Sequence, residues 1–74
     1  MGAMNIEWTN CSERMPPDDT KLIVTLTEIF RKKGYEYNIW PSNELKSELI
    51  DRKSWVPHTY WTPFTQEKWE FLNR

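Results

Sequence analysis

The chain has 74 residues, ten Lys/Arg against eleven Asp/Glu, a formal net charge of −1, and five Trp, three Tyr and three Phe. So short a chain makes one small domain with a thin core, because roughly 40% of its unfolded surface stays in water after folding. It excludes a transmembrane helix, a secretory leader, a disulfide or zinc cage built on its single Cys, and the Lys/Arg excess of a non-specific nucleic-acid binder.

Residues 1–4 (Met-Gly-Ala-Met) read as a start plus a cloning remnant, with Met4 as the native start. Residues 5–74 then form a single small α+β domain. Ile6 and Trp8 alternate at period two, which marks a short extended segment. Pro16 and Pro17 precede Asp18 and Asp19. Two prolines fix φ and remove two amide donors, so residues 12–19 are a rigid turn and not a helix. Leu22, Val24 and Leu26 alternate with Ile23, Thr25 and Thr27 in a β-branched run. A strand is predicted over 21–30, apolar on both faces and therefore central. Arg31, Lys32, Lys33 and Gly34 form a polar hairpin turn in which Gly34 can take positive φ. Tyr35, Tyr37 and Ile39 alternate with Glu36, Asn38 and Trp40 in the antiparallel partner strand, which Pro41 stops.

Ser42 is a candidate N-cap, with Glu44 in the first turn. Leu45 and Leu49 lie one turn apart, and Glu48 is spaced to pair with Arg52. A signal this short fits a helix over 42–53 and an irregular excursion equally well. Residues 55–64 read as extended, with a short strand over 58–61. Pro57 and Pro63 suit an edge strand or the strand's ends. Thr65 caps a last helix over 66–72. The architecture expected is α+β: a small three-stranded antiparallel sheet, a short C-terminal helix, and, on one of the two readings, a second short helix in 42–53.

Two stretches carry a family likeness. Trp8, then Ser12-Glu13-Arg14-Met15-Pro16, leads through acidic residues into the strand Leu22-Ile23-Val24. Near the other end stands Thr59-Tyr60-Trp61-Thr62-Pro63-Phe64. Together they resemble the "domain of unknown function 551" family of small phage and prophage proteins, over about residues 7–64. Tyr60 stands where that family often has His, and no Pro-rich tail follows. The resemblance implies a phage setting and a small α+β fold. It implies no activity and supplies no catalytic residues.

Catalysis needs a nucleophile, a base and an orienting group. Cys11, His58 and Asp18, Asp19 or Asp51 are the only material, and their spacing does not unite them. No enzyme, metal site or cofactor is expected. A free Cys11 suits a reducing compartment, the cytoplasm of a bacterial host. Trp8, Pro16, Trp55, Trp61 and Pro63 read as structural anchors beside rigid turns. The remaining aromatics exceed what a thin core can hold. Tyr35, Tyr37, Trp40, Tyr60 and Trp69 are therefore candidate partner-binding residues, because Trp and Tyr dominate interface hot spots. The partner expected is a host protein, bound and inhibited in counter-defence or host takeover. Burial of the same rings in a homodimer is the competing reading. The alternative function is nucleotide or single-strand binding by Arg31, Lys32 and Lys33 beside the tyrosines, with base stacking.

Overall fold

The computed structural model describes residues 5–29 and 34–74. Its strands are β1 (Thr9–Asn10), β2 (Leu22–Ile29), β3 (Gly34–Pro41) and β4 (Thr59–Pro63). Its helices are α1 (Ser42–Asp51), a 3-10 helix (Lys53–His58) and α2 (Gln66–Leu72). All strand pairs are antiparallel, in the order β1-β4-β2-β3.

This corrects the expected architecture: the sheet has four strands, not three, and there are three helical segments. The extra strand is β1, whose Thr9 and Asn10 pair with Trp61 and Tyr60. Two residues carry no periodicity, so only the partner strand reveals it. With β1 outside it, β4 is an inner strand. Pro63 is its last residue and Pro57 lies in the 3-10 helix, so neither removes an amide from the strand's middle. Residues 53–58 wind instead of extending. A proline's fixed φ suits a 3-10 turn. Trp55 N donates to Arg52 O at 3.0 Å, and Thr59 Oγ1 donates to Trp55 O at 2.8 Å.

β2 is central, as its two apolar faces require. Ile23, Val24 and Thr25 are all buried. On one face α1 lays Leu45 and Leu49 against Ile23, Trp61 and Cys11, with Met15, Trp40 and Val56 packed around them. Ser42 is the first residue of α1 rather than its cap, and the cap position is Pro41. A helix start needs partners for its free amides. Here a loop supplies them: Ser42 N donates to Lys21 O and Asn43 N to Asp19 O, both at 2.8 Å. The buried Ser42 hydroxyl donates to Pro17 O at 2.5 Å. The rigid proline turn thus serves as the cap of a distant helix.

The two stretches that carried the family likeness meet in space. The buried indole of Trp61 donates from Nε1 to Arg14 O at 2.9 Å. Asn10 Nδ2 donates to Pro57 O at 3.0 Å, and Cys11 N to Thr59 O at 2.9 Å. At the far end Thr65 caps α2, accepting from Lys68 N at 3.1 Å. The Lys68 ammonium turns back to Thr62 Oγ1 and Pro63 O, each at 3.0 Å, and holds α2 against the other face of the sheet. No helix among the described residues is long and apolar enough to cross a membrane.

Candidate functional site

In an antiparallel sheet, directly opposed residues share a face and neighbours along a strand alternate. The registers Leu26↔Tyr37, Leu26↔Tyr60 and Glu28↔Tyr35 therefore place Tyr35, Tyr37 and Tyr60 on one face, opposite α1. Trp8, just before β1, joins them and stacks on Tyr37, with ring centroids 6.1 Å apart and planes 25° from parallel. Trp8, Leu26, Glu28, Tyr35 and Tyr60 line a depression of about 350 Å³. Tyr35 is 62% exposed, Ile39 on the same face is also exposed, and Tyr37 and Tyr60 are half-buried. Beside them runs the outer edge of β3, eight residues long, which pairs with no strand among the described residues.

The five predicted partner-binding residues thus divide. Three tyrosines meet on this face. Trp40 points to the opposite face, where Ile23 is its partner across the strands. Trp69 lies half-buried on α2. Arg31, Lys32 and Lys33 fall outside the described residues. Of the expected anchors, Pro16 and Trp61 are buried, Trp8 is half-buried in its stack, Pro63 is exposed at the end of β4, and Trp55 is 45% exposed.

The α1 face also holds a site that the sequence did not suggest. Beyond the cover of α1, a cleft of about 200 Å³ opens between β3, α1 and the 3-10 helix. Trp40 and Trp55 line it, with Glu36, Asn38, Glu48 and Arg52, over the buried Leu45 and Leu49. Arg52 Nε lies 2.8 Å from Glu48 Oε1. These residues come from three elements with no common spacing, so no motif could announce them.

The chemistry of Cys11 is set by burial. Desolvation pushes its thiol from 9.0 up to about 12, so it stays protonated and is a poor nucleophile at neutral pH. His58 instead faces the tyrosine side, its Nδ1 3.9 Å from Glu28 Oε1. Asp19 is engaged in its own turn, accepting from Lys21 N at 3.0 Å. Among the described residues no group of three His, Cys, Asp or Glu is placed to hold a metal ion. Compared with protein-family models, curated proteins and solved structures, the chain matches none. The likeness to the phage family therefore rests on the two end motifs alone.

Proposed function

We propose that this chain is a non-catalytic binding module that engages another protein through its tyrosine face and the adjoining edge of β3. One observation carries the reading: Tyr35, Tyr37, Tyr60 and Trp8 gather on a single, partly open sheet face beside the outer edge of β3, which pairs with no strand among the described residues. Such rings bury much area at little entropic cost, and an open edge offers backbone donors and acceptors to an incoming strand. The two phage-like motifs add that the partner is a bacterial host protein, inhibited in the cytoplasm. A second reading rests on the same rings, since tyrosines on an open sheet are also a base-stacking platform. Glu28 on that face and the net charge of −1 weigh against it.

The test is affinity capture with the intact chain and a Tyr35→Ala/Tyr60→Ala variant of unchanged circular dichroism. Loss of a retained protein in the variant supports the module. Equal retention by both chains overturns it. Trp fluorescence quenched by an oligonucleotide at low salt, and restored at high salt, replaces it with the second reading.

A further inference from the structure

We infer that the cleft between β3, α1 and the 3-10 helix binds an N-methylated ammonium group. It lies on the sheet face opposite the tyrosines, so the inference stands apart from the module proposed above.

Its walls come first. Trp40 and Trp55 bring two indoles to one cleft from different elements. Trp is the aromatic that most strongly attracts a cation over its ring face. Trp55, on a single short 3-10 segment, is 45% exposed, so part of its ring surface stays open to a ligand. Charge comes second. Among the described residues, Glu36 and Glu48 line the cleft against Arg52 alone. Arg52 is already paired with Glu48. Glu36 has no ion pair among the described residues, so the described lining carries one net negative charge. That charge repels an anion and gives a neutral ligand no Coulomb gain.

The floor decides between kinds of cation. Leu45 and Leu49 are buried and apolar. A primary ammonium carries three N–H donors that must keep acceptors when desolvated. The leucine and indole surfaces offer it none, so all three must be met by Thr27, Glu36, Asn38, Glu48 or Thr59. A trimethylated nitrogen has no N–H, spreads its charge over methyl groups, and packs on the same floor without leaving a donor unpaired. The same group occurs on free choline and on a trimethyl-lysine side chain.

The experiment follows the indole Nε1–H signals of the intact ¹⁵N-labelled chain, assigned with Trp40→Phe and Trp55→Phe. Choline is titrated against its uncharged isostere, 3,3-dimethylbutan-1-ol, and against a peptide bearing trimethyl-lysine. Choline is expected to shift the Trp40 and Trp55 signals saturably, with a Kd of about 1 mM or tighter, and to bind about tenfold better than the isostere. Trp55→Ala is expected to weaken it by about tenfold, and Glu36→Gln by severalfold. Each variant is titrated only with circular dichroism unchanged from the parent chain, and Trp55→Phe, which keeps a ring, serves where Trp55→Ala does not fold. Tighter binding of the peptide than of choline supports the site with a protein side chain as its source; the reverse supports a small metabolite. Equal binding of the isostere, saturation without the two indoles, or no saturation by either cation overturns the inference.

Discussion

The two faces of the sheet are made by the same strands and reach opposite states. Under α1, Ile23 and Trp61 close against Leu45, Leu49 and Cys11, and the Trp61 indole N–H finds the Arg14 carbonyl. On the other side Val24 and Thr62 are fully buried, with Lys68 of α2 donating to Thr62 Oγ1, but a few residues along β3 the tyrosine face stands open. Aromatic content does not separate the faces. Cover does. A ten-residue helix covers the Cys11 and Trp61 core on one side and leaves a cleft only past its end, whereas a seven-residue helix and a single stacked indole only begin to close the other. The Trp61 ring on the first face is buried in the core, whereas Tyr35, Tyr37 and Tyr60 on the second stay partly exposed.

Substitutions can break or sharpen that contrast. The largest effect is expected at Trp61. Trp61→Ala removes a core indole and leaves the Arg14 carbonyl without its donor, and it should cost about 3–5 kcal/mol in urea denaturation. For so small a core this unfolds much of the population. A cost no greater than that of Tyr35→Ala would erase the distinction between the faces.

Alkaline titration reaches the same core differently. Folding raises the Cys11 thiol from 9.0 to about 12. Below pH 9 both states hold the proton and the group is neutral to stability. Above it the unfolded chain releases the proton first, so stability should fall by up to about 1.4 kcal/mol per pH unit until the folded thiol also ionises. Cys11→Ala should remove that slope, measured as the difference between the two chains' denaturation midpoints against pH.

Ser42→Ala tests the closure at its hinge. It strips the Pro17 carbonyl of its hydroxyl donor and should cost about 1–3 kcal/mol. Amide exchange in the first turn of α1 should rise with it. On the open side, Trp8→Ala should cost only about 0.5–1.5 kcal/mol, the value of an aromatic pair. The smallest change is expected for Tyr35→Ala, within about 0.5 kcal/mol by thermal melting. Its effect should appear instead in partner retention.

Much of this was written locally. The β-branched run from Leu22, the alternation through Trp40 and the Thr65 cap each announce their element within a few residues, whereas the Leu45 and Leu49 spacing left a helix and an irregular excursion both open. The tyrosines were legible as surplus rings, and the alternation of β3 already set Tyr35 and Tyr37 on one face. That Tyr60 joins them was not legible, because it depends on the register of β4 against β2. The cleft was hidden for the same reason: Glu36, Arg52 and Trp55 become neighbours only when the 3-10 helix folds back past β3.

The amino-acid order alone therefore determined the hairpin, the C-terminal helix and the wealth of aromatic rings, because period, capping and side-chain type act over a turn or a few residues. Tertiary structure decided the fourth strand, the start of α1 and which rings stay open. A two-residue strand has no period of its own, a helix capped by a remote proline turn has no local cap signal, and exposure depends on which element happens to lie above each ring.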